Sequence, residues 1–238
     1  MGTKMRISRL AAKSVIVGAV LYFGIEIFLH VLRRDYNPAR RFLSEYAVGQ
    51  FELLGTVAFC LLAGMTAALT VALFIEVRRS WLLNVTCALL FLVGIGFCAL
   101  ASFPTDLSDP RGGPPPIRTS IGVVHDVSTS VLSAALGVAA LLLPFAYKRD
   151  PRWRAISSRI LGFGVFIPFF LCIASVLPWQ WCGVGQRLVV MSGLVWMIAN
   201  SHALLHSRQS ESGNSSGSQN HRNASERSTA GALGCPDR

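Results

Sequence analysis

The chain has 238 residues, of which 52% are hydrophobic and 14% charged; ordinary soluble domains carry about 25% charged residues. With a mean hydropathy of +0.50, this excludes a soluble globular domain and indicates a membrane protein. The 22 Lys and Arg exceed the 12 Asp and Glu by +10, and in so apolar a chain basic residues set topology rather than bind nucleic acid.

A hydrocarbon core of about 30 Å needs roughly 20 apolar residues per helix. Six runs of that kind, bounded by charge, Pro or Gly, predict spans at about 13–32, 53–77, 81–103, 123–147, 156–177 and 184–206. The expected architecture is all-α: a polytopic bundle of six transmembrane helices within residues 1–206. The first run has a basic start (Lys4, Arg6, Arg9, Lys13) but leads into Arg33-Arg34 without a small-residue cleavage pattern, so it reads as a retained helix.

An even number of spans puts both termini on one side. The N-terminus, the loops after spans two and four and the C-terminal tail hold 15 Lys and Arg, against 7 in the other three loops. The positive-inside rule then places both termini in the cytoplasm, with Trp81 and Trp153 near the inner boundary and Trp179 and Trp181 near the outer one. Residues 207–238 turn to Ser, Asn, Gly and Gln and read as a disordered cytoplasmic tail.

The first outer loop, from Asp35 to Gly49, offers Asn37 as a helix cap and Pro38 at the first helical position. Phe42, Leu43 and Tyr46 then share a face, and Arg41 and Glu45 are spaced to pair, predicting a short interfacial helix. The second outer loop, Phe103 to Pro116, is dense in Pro and Gly and suits a cap over the bundle. Its helix ends with Cys98 six residues before Pro104, as the fifth ends with Cys172 before Pro178. The next helices open alike, Gly122-Val-Val-His125-Asp126 and Gly183-Val-Gly-Gln186-Arg187.

Nearly every protic group near a span gathers at the outer mouth: Glu26, His30, Ser44, Glu45, Asp106, His125, Asp126, Gln186 and Arg187. Ionisable residues at membrane depth are functional candidates because their burial is costly without a partner or a wet cavity. Glu26 lies about 9 Å below the outer end of its helix at ~1.5 Å per residue, and Arg187 is the natural partner of Asp126 or Glu26. His202 and His206 stand four apart, but lie about 22 Å along the helix from Arg187, too far to share a metal with His125.

At Leu43-Ser44-Glu45, Phe103-Pro104-x-Asp106, His125-Asp126 and Gln186-Arg187 the sequence resembles the bacterial multi-pass membrane family called domain of unknown function 998 (DUF 998), over roughly residues 15–206. The resemblance implies about six helices and a location in the bacterial inner membrane, and it supplies no substrate.

Three functions fit these residues. The first is an extracytoplasmic polar pocket that binds or moves a lipid head group or small polar solute, with Arg40, Arg41 and Arg187 suited to phosphate and Glu45, Asp106 and Asp126 to an amine. The second is a membrane hydrolase or transferase using His125 as base, Asp106 or Asp126 to orient it and Ser44 as nucleophile, or His30, His125, Glu26 and Asp106 as metal ligands. The third is a structural or assembly subunit whose polar network locks helix ends. The sequence has no Gly-x-Ser-x-Gly, His-Glu-x-x-His or Cys-x-x-Cys motif, so no cofactor is indicated and catalysis is the weaker reading. Membrane lipids are the expected partners.

Overall fold

Six helices carry the six apolar runs: α1 (Thr3–Leu32), α2 (Glu52–Glu76), α3 (Trp81–Ser102), α4 (Ser120–Lys148), α5 (Ser157–Val176) and α6 (Cys182–His206). All six are long and apolar enough to cross a membrane, and the described residues contain no β-strand. The structure, a computed structural model, describes residues 2–111 and 113–206. The tail from residue 207, expected to be disordered, lies outside the described residues.

Two helices start before their apolar runs. α1 begins at Thr3, not at about residue 13, because the basic stretch ahead of the apolar run contains good helix formers. α4 begins at Ser120 because Thr119 caps it, its Oγ1 accepting from the Gly122 N–H at 3.0 Å. Within the spans, Thr66, Thr70 and Thr86 donate their hydroxyls to carbonyls four residues back, which satisfies polar groups that hydrocarbon cannot.

Consecutive helices pack in order from α1 to α5. α6 closes the ring: its Gly193 faces Leu136 of α4, its Gly185 faces Ala174 of α5, and Arg187 meets His30 of α1. Lipid tails are as apolar as leucine, so close packing of small residues and interhelical hydrogen bonds hold such a bundle. Gly164 of α5 lies against the Ala140 carbonyl of α4. Tyr147 Oη donates to Asn200 Oδ1 at 2.8 Å, joining α4 to α6 where both residues are fully buried; such bonds contribute about 0.6–1.7 kcal/mol.

Loops 33–51, 103–119 and 177–181 gather at one end, called here the capped end. The helix of the first loop is a 3-10 helix at Leu43–Ala47, preceded by a separate turn in which the Arg40 and Arg41 N–H groups donate to the Asn37 carbonyl. Leu43, Ser44, Glu45 and Tyr46 are all buried, so this helix is a plug packed on α2.

At the opposite end Asp150, 2% exposed, joins two loops. It accepts from the Arg78 N–H at 3.0 Å and from Arg152 Nη2 at 3.1 Å, while Arg152 Nη2 also donates to the Glu76 carbonyl at 2.9 Å. Trp153 differs from its expected interfacial place. It is 1% exposed and stacks on Tyr147 with ring centroids 5.3 Å apart.

Candidate functional site

The nine polar residues expected at the outer mouth all lie in the capped half, and the structure sorts them into three separate arrangements.

The first joins α1 to α6 beneath the first loop. Arg187 Nη1 donates to the carbonyls of Pro38 (2.7 Å), Arg41 (2.9 Å) and Gly183 (3.0 Å), and Nη2 lies 3.0 Å from His30 Nε2. Glu26, on the same face of α1, is 7% exposed. Tyr46 is fully buried, stacked on His30 with centroids 4.9 Å apart; burial pushes its phenol pKa up, against the opposing charge of Arg187. Glu26 Oε2, Tyr46 Oη and Arg187 Nε are buried without a hydrogen bond of good geometry, although the Tyr22 hydroxyl lies beside Glu26 and the Tyr46 hydroxyl beside Arg187. Glu26, His30 and Arg187 line a cleft of about 420 Å³ between α1 and α6, walled by Phe23, Ile27, Val31 and Met191.

The second arrangement ties the first loop to the second. Arg41 Nη1 donates to Glu45 Oε2 at 2.7 Å and to the Ser108 carbonyl at 2.5 Å, and Ser108 Oγ donates to Glu45 Oε1 at 2.6 Å. Glu45 and Ser108 are 0% and 2% exposed, so this is a dry knot whose members satisfy one another. Ser44, beside it in sequence, is buried too. Gln186 Oε1 accepts from the Leu43 N–H, fastening the other edge of the plug to α6.

The third arrangement is the start of α4. Asp106 accepts from Thr119 N–H and Thr119 Oγ1, both at 2.8 Å. The Thr119 N–H holds its carboxyl below the ordinary value of 3.8, though what little burial it has acts the other way. A Cβ on Gly122 would collide with that carboxylate; a Cβ on Gly183 would collide with the carbonyls of Pro38 and Arg41. The two Gly-Val openings therefore share a physical cause, since each glycine lets a loop lie on the first turn of a helix. His125, 3% exposed, donates from Nδ1 to the Phe103 carbonyl at 2.7 Å and meets the edge of Phe59. Asp126 pairs at 2.7 Å with Arg118, both partly exposed, and not with Arg187.

These contacts bear on the chemistry considered for His125. Its Nδ1 proton is held by a carbonyl, Asp106 is engaged by Thr119, and Asp126 by Arg118, so neither acid orients the imidazole. Among the described residues no three His, Cys, Asp or Glu side chains come together to hold a metal ion.

Sequence reasoning passed over Ser108, Thr119, Tyr46 as a polar group, and Asp150. Thr119 carried a legible signal, a capping residue just before an apolar run. Ser108 carried none, since its partner Glu45 is 63 residues away. Asp150 was masked by the basic residues around it.

Six apolar helices with loops tied across one end define a polytopic α-helical membrane protein. The profile of the family described as "Protein of unknown function (DUF998)" matches residues 16–203, and the chain belongs to that family. All nine residues lie inside the matched stretch. No curated protein and no solved structure matches the chain.

Proposed function

We propose that the protein binds the polar head of a zwitterionic lipid in the cleft between α1 and α6, at the outer face of a bacterial inner membrane, with both termini cytoplasmic. The observation that carries this reading is that Glu26 Oε2 and Arg187 Nε, buried without a well-formed hydrogen bond on two different helices, belong to residues that line one cleft, with Tyr46 Oη buried beside Arg187. Leaving such groups unpaired costs about 1–3 kcal/mol each, more when charged.

A lone cation there would face Arg187, and a lone anion would face Glu26. An ammonium–phosphate zwitterion meets both, with its ammonium on Glu26 and its phosphate on the Arg187 guanidinium, which Tyr46 backs. The volume of about 420 Å³ far exceeds the ~30 Å³ of one water. Ile27 and Val31 are 66% and 53% exposed, which supplies an apolar flank for an acyl chain entering from the bilayer. The orientation rests on the charge asymmetry of the loops, and the bacterial membrane on the resemblance described above.

The test is native mass spectrometry of the detergent-released protein after exchange with dioleoyl phosphatidylethanolamine, with dioleoyl phosphatidylglycerol, and with soluble phosphoethanolamine. The ethanolamine lipid should be retained over the glycerol lipid, and the preference should vanish in Glu26→Gln and weaken in Tyr46→Phe. Retention of soluble phosphoethanolamine alone would move the reading to a small solute. Equal retention of both lipids, or a preference untouched in two folded variants, would overturn it.

A further inference from the structure

A second and larger cleft, of about 640 Å³, opens between α4, α5 and α6 under Phe42 and Trp179. It shares no lining residue with the α1–α6 cleft, and its lining contains no charged side chain. Its polar groups are four hydroxyls, the Gln186 amide, the Trp179 indole N–H and the Cys182 thiol, which donates to the Arg40 carbonyl; the hydrogen bonds of most of them fix what they can still offer.

Three of the hydroxyls have committed their protons. Thr129 Oγ1 donates to the His125 carbonyl at 2.9 Å, Ser130 Oγ to the Asp126 carbonyl at 2.9 Å, and Ser175 Oγ to the Cys172 carbonyl at 2.7 Å. What remains to each of these three is lone pairs, so they accept hydrogen bonds. Gln186 is the reverse. A backbone N–H can only donate, so the bond from Leu43 fixes Oε1 toward the loop and leaves Nε2, with its two protons, for the cleft. Acceptors on α4 and α5 thus face a donor on α6 across a space flanked by Leu171, Leu177 and Trp179.

An interior cavity adjoins the cleft. Thr129, Ser133, Gln186 and Val189 line both it and the interior cavity of about 80 Å³, whose other walls include Leu132, Leu136, Phe97 and Met197. Polar groups therefore stand between a lipid-facing mouth and an apolar interior.

We infer that this cleft binds a neutral amphiphile whose head carries hydroxyls beside an ester or ether oxygen, as an acylglycerol does: the hydroxyls donate to Thr129, Ser130 and Ser175, the oxygen accepts from Gln186 Nε2, and the hydrocarbon lies on the apolar walls. A phosphate or an ammonium finds no counter-charge here, and burying it unpaired is costly. The absence of charge separates this site from the α1–α6 cleft, and the inference does not depend on the function proposed for that one.

The test uses the full chain, with monoolein as the probe and dioleoyl phosphatidylglycerol as the charged comparison, read as bound adducts by native mass spectrometry. Monoolein should be preferred. Gln186→Glu keeps an oxygen for the Leu43 N–H but removes the donor, and Ala134→Phe fills the cleft from an exposed position. Each should reduce the monoolein adduct about tenfold, the equivalent of one good hydrogen bond or a blocked site, while Glu26→Gln leaves it unchanged. The inference is overturned if monoolein does not bind, if the charged lipid binds equally, or if the adduct survives Ala134→Phe in folded protein. Loss of the adduct in Glu26→Gln alone would place the amphiphile in the other cleft and overturn it as well.

Discussion

Arg187 Nη2 lies 3.0 Å from His30 Nε2, and a guanidinium can only donate, so that ring nitrogen is the acceptor. The proton of His30 therefore sits on Nδ1 and is donated to the Glu26 carbonyl at 2.6 Å. One tautomer is thereby fixed, and α1, the first loop and α6 are joined through a single guanidinium. Arg187→Lys supplies a point charge where a planar fork is needed. It should lower stability by about 2 kcal/mol, the scale of hydrogen bonds to a charged group. Melting curves of the two proteins, with nitrogen-15 shifts of His30 to report the tautomer, check this. Unchanged melting with the Nε2–H tautomer would refute the arrangement.

The sequence displayed the helices more clearly than the relations between their polar ends. Hydrocarbon thickness alone fixes the length of an apolar run, so six runs give six helices, with errors only where a cap or helix-forming charges extend an end, as at Thr119 and Thr3. The polar groups of the capped end were recognisable because charge near a span is rare. Their pairing was not. Asp126 and Glu26 both looked like partners for Arg187, but Asp126 pairs with Arg118, Glu26 acts on Arg187 through its charge without an ion-pair contact, and carbonyls of residues 38 and 41 take the hydrogen bonds. A backbone acceptor 146 or more residues away leaves no trace in composition or spacing.

At the opposite end, Asp150 should make stability pH-dependent. Burial alone would raise its pKa, but hydrogen bonds from Arg152 and the Arg78 N–H outweigh it and hold the carboxyl below its ordinary value of 3.8. The stability it contributes is therefore complete above that value and is lost as the pH falls through the lower folded value. The difference in melting temperature between wild type and Asp150→Asn should be constant from neutral pH down to about pH 5 and shrink toward zero as the pH falls below 3.8 through the lower folded value. A difference that persisted at the acid end would show that the charge of Asp150 contributes nothing.

The knot of Arg41, Glu45 and Ser108 makes the final prediction. With side chains 10% and 0% exposed at 2.7 Å, the Arg41–Glu45 pair has given up most of its hydration, and its Coulomb attraction is offset by that desolvation. Removing one partner is then far worse than removing both, because the survivor stays buried and unpaired. Glu45→Ala should cost about 3–5 kcal/mol, whereas Arg41→Met with Glu45→Met should recover most of it. Ser108→Ala takes away the donor to Glu45 Oε1 and a long acceptor contact to Arg41 Nη1, at 3.3 Å, while leaving the ion pair in place, and should cost about 1–2 kcal/mol. Thermal or denaturant unfolding in detergent ranks the three. If the double variant proved as damaged as Glu45→Ala, the knot would be held by the shape of its loops rather than by compensation between its charges.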